Sequence, residues 1–321
     1  MNHIWKISDL KLVAGAVIKG KWNHRSYQIM KELGSGANGI VYLAEYQSKS
    51  VAIKFSDNSS TIATEVNVLK KCQKVQGNLL GPSLLDVDDW TSPKGDIVPF
   101  YVMEYVKGIQ LPRYIQMNGS KALGEIMIQL LEGLHVLHQS GFIFGDLKPE
   151  HLLIVSTPPR LRWIDLGGTT PIGKSLREYT AFYDRGYWKL GSRRADPQYD
   201  LFAAAMVMIG TYYTRQFDRG TNPQNTLLNR VKMSKSLRPF EKAIQKALLG
   251  KYQSTLEMKK DIEIATMRLT QQKQKPYPTG TATVRTHQKA ISRDNYFGEP
   301  IGIGVVLLFL YAFFLTFQWV G

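Results

Sequence analysis

The chain has 321 residues, 44% of them hydrophobic, enough for the core of one large or two smaller domains, which excludes a chain that stays unfolded. Its 41 Lys and Arg against 26 Asp and Glu leave a formal net charge of +15, a field that attracts nucleic acid, anionic lipid or acidic protein rather than cationic partners. The single cysteine, Cys72, excludes an internal disulfide and fits a reducing compartment.

Residues 1–24 read as a basic segment without a signal peptide, because Leu10–Ile18 is only mildly apolar, is broken by Lys11 and lacks a cleavage-like site. Residues 25–106 read as strands. Runs such as SYQIMKEL, IVYLAEY, SVAIKF and FYVMEYV alternate with Gly, Ser and Asn turns. One helix interrupts them from about Ser60 to Lys74, with Ile62, Val66, Leu69 and Val75 at helical spacing. Residues 107–268 read as mostly helical. Ile126, Leu130, Leu131, Leu134 and Leu137 share one helix face, and LFAAAMVMIGTYY (201–213) is apolar all round but too short to span a bilayer, so it is expected as a buried central helix. Residues 269–300, rich in Gln, Lys, Thr, Pro and Gly, read as a basic flexible linker. Residues 301–320, IGIGVVLLFLYAFFLTFQWV, carry no charge and match the roughly 20 residues that a membrane-crossing helix needs. Lys and Arg crowd the upstream side, so the expected topology is single-pass in the cell membrane with the N-terminal body cytoplasmic.

Gly34, Gly36 and Gly39 lie between two strand-like runs. Alone, such glycines are weak signals, since they also serve ordinary turns. Here a strand follows rather than a helix, and glycines let the backbone fold over phosphates and offer unobstructed N–H donors. Lys54 follows in VAIK, on a strand where it can reach the phosphates of a nucleotide, and Glu65 is the one acidic residue on the helix behind it. Further on come Met103-Glu104-Tyr105-Val106, then Asp146-Leu147-Lys148-Pro149-Glu150, then Trp163-Ile164-Asp165-Leu166-Gly167.

This order resembles the eukaryotic-like (Hanks-type) Ser/Thr protein kinases of bacteria over roughly residues 25–265. The resemblance implies an α+β, bilobal protein-kinase fold, with a small β-rich N-lobe and a larger helical C-lobe, followed by the transmembrane helix. It implies an ATP-dependent protein serine/threonine kinase that uses Mg²⁺ or Mn²⁺. Lys54 would be held by Glu65, with Leu69 one turn on in the family's regulatory hydrophobic column. Backbone groups of Glu104 and Val106 would bind adenine, Val41, Ala52 and Leu153 would sandwich the ring, and Gln110 would face the ribose. Asp146 would orient the acceptor hydroxyl and take its proton, with Lys148 steadying the γ-phosphate. Asp165 and His151 would be the metal ligands, and Asp200 would anchor the catalytic loop.

The chain departs from the family pattern at several places. His151 stands where the family has Asn, and imidazole suits Mg²⁺ poorly. Gly145 replaces the Arg that receives an activation-loop phosphate, so activity is expected not to depend on loop phosphorylation in the usual way. Phe144 replaces His in a packing role. No Ala-Pro-Glu follows the activation segment, expected over 168–195, where Thr169, Thr170, Ser175, Tyr179, Thr180 and Tyr183 are candidate phosphate acceptors.

The whole architecture is similar to the YabT-like kinases of endospore-forming bacteria, which implies Ser/Thr protein substrates and a role in sporulation. The alternative is a pseudokinase, a membrane-tethered nucleotide-binding scaffold, which His151 and the missing Ala-Pro-Glu favour. A small-molecule kinase is disfavoured by the Gly-rich hairpin. Basic clusters at Lys19-Lys21-Arg25, Lys70-Lys71-Lys74, Arg185-Lys189-Arg193-Arg194 and Arg230-Lys232-Lys235-Arg238 fit sequence-independent binding of DNA or anionic lipid. The resemblance also admits a dimer.

Overall fold

Strand alternation divides the small lobe into two cores. In the computed structural model, which describes residues 7, 10–36, 39–73, 81–176, 179–213 and 215–274, six strands form one antiparallel sheet. They are β1 (Val17–Lys19), β2 (Ser26–Gly36), β3 (Gly39–Tyr46), β4 (Lys49–Phe55), β5 (Leu84–Thr91) and β6 (Ile97–Glu104), in the order β1-β2-β3-β4-β6-β5. Successive side chains on a strand face opposite ways. On β4 and β6, Ile53, Phe55, Phe100 and Val102 therefore enter an outer core with Tyr27, Ile29 and Tyr42. Ala52, Tyr101 and Met103 face the other way, into the core shared with the helices. Lys54 lies on the same side as Ala52, which is why a lysine on this strand ends up in the cleft.

The outer face is too apolar to meet water, and residues 10–24 cover it. Leu10 and Ile18 are buried there, and β1 pairs with β2. The segment is thus part of the small lobe rather than a separate basic extension. It also caps the edge strand β5: the Lys21 N–H donates to the Asp89 carbonyl, and the N–H groups of Trp22 and Asn23 donate to the Asp88 carboxylate at 2.9 and 2.7 Å. Helix α1 (Ser59–Gln73) buries Ile62, Val66, Val68 and Leu69, as its periodicity predicts; Val75 lies outside the described residues.

The larger lobe is built on α2 (Leu111–Gln139), α3 (Pro197–Tyr212), α4 (Pro223–Met233), α5 (Glu241–Leu248) and α6 (Thr255–Gln274). Short strands β7 (Ile109–Gln110), β8 (Phe142–Ile143), β9 (Leu152–Val155), β10 (Arg160–Trp163) and β11 (Thr170–Pro171) carry the cleft-facing loops. Helix α2 breaks at Gly119, whose φ of +77° and ψ of −169° only glycine adopts readily. The expected central helix is α3, buried on nearly every side, and it starts earlier than its apolar run, at a cap where the Asp196 carboxylate accepts from the Tyr199 N–H. Helix α6 continues past residue 268, into the stretch expected as linker, because Gln and Lys are good helix formers and Leu269 packs on the core. Among the described residues no helix is long and apolar enough to cross a membrane; the span expected at 301–320 lies outside them.

Helices α2 and α6 meet where Gly124 faces Thr266, with no room for a Cβ between them. Gly124→Val is expected to overpack this contact by about 1–3 kcal/mol. Circular dichroism should then show Tm lowered by roughly 5 °C; an unchanged Tm would mean the helices do not pack here.

Candidate active site

A cleft of about 530 Å³ opens between the lobes under the Gly-rich hairpin. Its upper wall is Gly34, Gly36, Gly39, Val41, Ala52 and Lys54; Met103, Glu104, Tyr105, Val106 and Gln110 form the back; Asp146, Lys148, Glu150, His151, Ile164 and Asp165 form the floor. A Cβ added at Gly34 or Gly36 would touch no protein atom, so these positions leave open space over the cleft. Gly39 is different: its φ is +142° and a Cβ would strike the Phe55 carbonyl, so the turn itself requires glycine. Leu153 is buried in β9, paired with Gln110 of β7, and Ile164 lines the cleft floor. Alternation on β9 sends Leu152 and Ile154 into the helical core, while Leu153 lies against Gly108.

Lys54 Nζ donates to Glu65 Oε1 at 2.8 Å, with both side chains almost fully buried. Tyr101 OH donates to the other oxygen, Glu65 Oε2, at 2.7 Å. Burial pushes the Glu65 pKa up, against the opposing pull of Lys54, and pushes that of Tyr101 well above the ordinary phenol value. The pair positions α1 against the sheet and holds Lys54 Nζ 3.7 Å from Asp165 Oδ1. Leu69 follows as expected: its Cδ2 and the Leu166 Cδ1 both lie within 4 Å of where a Gly81 Cβ would sit, so α1, the Asp-Leu-Gly segment and the start of β5 meet there.

The catalytic loop is held by its backbone. Asp200, without solvent exposure, accepts from the N–H groups of Phe144 and Gly145 at 2.7 and 3.0 Å and pairs with His138 Nε2 at 2.8 Å. Gly145 has φ +80°, and a Cβ there would strike the Gly168 carbonyl and crowd Leu176, so the backbone excludes an arginine at this position. Phe144 is buried edge-on to Trp163 at 5.1 Å, the packing role expected of it. Asp146 is then presented to the cleft. Its Oδ2 accepts from Lys148 Nζ at 2.8 Å, and its Oδ1 accepts from the Thr180 N–H and hydroxyl, both at 2.8 Å. Lys148 also donates to Thr180 Oγ1 at 3.1 Å, so a hydroxyl already sits between the carboxylate and the ammonium.

Asp165 faces the cleft, accepts from the Gly167 N–H at 2.8 Å, and lies 3.7 Å by its Oδ2 from His151 Nε2. Burial works to raise its pKa, but Lys54, His151 and the Gly167 N–H hold it below the usual carboxylate range. Burial lowers the His151 pKa, more than the neighbouring carboxylates raise it, so the imidazole is neutral near pH 7. His151 Nδ1 is sealed from solvent without a partner. A carboxylate and a neutral imidazole nitrogen facing one cavity fit a divalent cation, which when bound would neutralise phosphate charge.

Sequence reasoning missed several residues here. Tyr101 was legible only as a strand aromatic, although a buried phenol needs a partner. Arg162 pairs with Glu104 at 2.8 Å, tying β10 to β6 behind the hinge; burial alone would raise the Glu104 pKa, and Arg162 with the Ser83 N–H brings it below normal. Thr180 was expected only as a phosphate acceptor. In place of Ala-Pro-Glu and its distant arginine, the end of the activation segment carries its own ion pairs. Fully buried Asp184 accepts from Arg193, Tyr199 OH and the N–H groups of Gly186 and Tyr187. Arg185 binds Asp196 through both terminal nitrogens. Of the basic cluster expected at 185–194, Arg185 is therefore committed inside the fold and Arg193, though exposed, is paired with a buried carboxylate; the signal for this was the spacing of Asp184 and Asp196 on either side of the cluster.

A glycine hairpin, a buried Lys–Glu pair and an Asp–Lys catalytic loop define a phosphotransferase site. The protein kinase domain family matches residues 27–274. The chain is 48% identical to the serine/threonine-protein kinase YabT of Bacillus subtilis (strain 168) over 302 residues, 92% of this chain and 89% of that protein. It is 30% identical to PrkC of the same organism over half of this chain but only 25% of that protein. Among solved structures, the PknI kinase domain of Mycobacterium tuberculosis matches at 17% identity with a TM-score of 0.55, over 80% of this chain and 99% of that one. Vaccinia related kinase 3 matches at 15% identity with a TM-score of 0.59, over 83% and 95%. At these identities the two structures speak for the fold alone. The chain belongs to the protein kinase family and is an ATP-dependent protein serine/threonine kinase.

Thr180 bridges the two catalytic-loop side chains, so Thr180→Ala should lower kcat roughly 10- to 100-fold through lost positioning. Thr180→Ser should retain most of the activity, and the affinity for a fluorescent nucleotide should not change in either variant. Equal kcat values for the alanine variant and the wild type would remove this role.

Proposed function

We propose that the protein is a membrane-anchored Ser/Thr kinase that transfers the γ-phosphoryl group of ATP to Ser and Thr of protein substrates and to its own chain. The observation that carries this reading is the Lys148–Asp146–Thr180 contact, with Lys54 and Glu65 already paired above it. Little covalent chemistry is asked of the protein in phosphoryl transfer; positioning and charge neutralisation do most of it. Asp146 orients an incoming hydroxyl and accepts its proton, Lys148 and Lys54 balance phosphate charge, and the hairpin N–H groups cover the phosphates. The pseudokinase alternative finds no support in this arrangement, since each charged catalytic side chain has the partner it needs.

The apolar run at 301–320 supports anchoring, and the Lys and Arg residues before it support a cytoplasmic kinase domain. Leu176 supports activity without loop phosphorylation. It packs with Ile143, Ala195 and Tyr199 and crowds Gly145, so an apolar contact fixes the segment where an arginine and a phosphate would otherwise meet. The net charge of +15 supports modulation by a polyanion such as DNA or anionic lipid, read electrostatically rather than by sequence.

The full chain in detergent, incubated with labelled ATP, should phosphorylate itself and a Ser/Thr-containing protein, and Asp146→Ala should abolish both signals. Nucleotide binding without transfer would instead establish the scaffold. Duplex DNA and anionic vesicles, added in parallel, should alter the rate at low salt and lose that effect at moderate salt; an effect indifferent to salt rules out the electrostatic account. Deleting residues 301–321 should move the kinase from the membrane fraction to the soluble fraction; retention on membranes would show that the anchor lies elsewhere.

A further inference from the structure

One residue of the cleft floor, His151, has chemistry that an oxygen-only metal site would not need. His151 closes a short helical turn, Pro149–His151, immediately after Lys148, and the chain then enters β9. Strand β10 pairs with β9 at Leu152↔Trp163 and leads directly to Asp165. The Ile164 N–H donates to the His151 carbonyl at 3.0 Å, so a single tight ladder fixes both residues relative to each other. Their side chains meet in the cleft with His151 Nε2 3.7 Å from Asp165 Oδ2. That is too long for a hydrogen bond between them. Both donor atoms therefore face the cavity without engaging each other, and a small side-chain shift would let one ion reach both, since adjacent ligand atoms of an octahedral ion lie roughly 3 Å apart.

The imidazole is mostly buried, with a side-chain exposure of 12%; its Nδ1 is on the sealed side, near the Asp146 backbone, and Nε2 is the nitrogen that faces Asp165. The ring lies 6.2 Å from that of Phe144, but an apolar side chain would pack there as well.

We propose, building on the kinase reading above, that His151 selects the metal: Nε2 is a direct ligand of an ion shared with Asp165, and the site takes a nitrogen-tolerant divalent ion, Mn²⁺, in preference to Mg²⁺. Mg²⁺ favours hard oxygen donors in near-ideal octahedral geometry, whereas imidazole is a good ligand for first-row transition metals. A carboxamide at position 151 would offer an oxygen instead, so His151→Asn should return the site to Mg²⁺.

The test uses the full chain in detergent loaded with the β,γ-methylene analogue of ATP, which binds without reacting. Analogue affinity is first measured by calorimetry in Mg²⁺ and in Mn²⁺. Mn²⁺ binding is then followed by electron paramagnetic resonance with Mg²⁺ as competitor, and spin-echo modulation reports any nitrogen bonded to Mn²⁺. In the wild type, displacing half of the Mn²⁺ should take roughly 10- to 100-fold more Mg²⁺ than in His151→Asn, the range typical when a metal site loses one such contribution. The wild type should show directly bound nitrogen, and His151→Asn should lose it, whereas any signal from adenine would survive the substitution. A wild-type spectrum without bound nitrogen overturns the proposal even if the variant does not fold. Equal Mg²⁺ competition in the two proteins also overturns it, while normal analogue binding leaves the kinase reading intact. Failure to bind the analogue with either ion would overturn the kinase reading, and this proposal with it.

Discussion

The position of the catalytic loop depends on one buried carboxylate. Asp200 sits in the first turn of α3, inside the largest apolar core of the molecule, and spends its oxygens on two backbone N–H groups and one imidazole. A charge in such a place is tolerable only because it is fully hydrogen-bonded, and bonds to a charged acceptor contribute about 1.5–3 kcal/mol each. The consequence is geometric. With the N–H groups of 144 and 145 fixed, the chain must turn at Gly145 and deliver Asp146 into the cleft. Lys148 and Thr180 then arrange themselves around Asp146, and the segment from Asp165 to Leu176 packs back against the same turn. The most apolar helix of the fold therefore serves the most polar part of the site.

The small lobe solves a related problem by covering rather than by pinning. Strands β4 and β6 are apolar on both faces, so neither face can be left to solvent. The segment before β2 takes one face and α1 the other. Only the face shared with α1 has to accommodate charge, and there Lys54, Glu65 and Tyr101 satisfy one another in a closed set. The sheet is thus rigid where it meets residues 10–24 and chemically loaded where it meets the cleft.

Much of this was legible in the chain because kinase motifs are short and local. The glycines, Lys54, Asp146, Lys148 and Asp165 each sit in a stretch whose residue types already imply a task, and Glu65 was found because no other acid lies on its helix. The residues that escaped notice act across long separations. Arg162 meets Glu104 from 58 positions away, and Tyr101 meets Glu65 from 36; no window on the sequence contains both partners. The missing Ala-Pro-Glu was noticed as a loss, and only the folded chain reveals the compensation, in which Asp184 with Arg193 and Arg185 with Asp196 form locally what the family forms at a distance. Residues 10–24 looked peripheral because Lys11, Lys19 and Lys21 interrupt the few apolar side chains, Leu10, Leu12, Ala16 and Ile18, that place them.

The leucine in the first half of the activation segment bears on what a cell can do with such an enzyme. A phosphate is a mark that can be written and erased, and an enzyme waiting for one carries a memory of its last encounter. A hydrophobic contact stores nothing. On the proposal that activity does not wait for loop phosphorylation, a segment held by Leu176 against Ile143, Ala195 and Tyr199 needs no such mark to be in place. Control on that proposal falls to how much of the enzyme is made, how long it survives, and which polyanions and substrates come near.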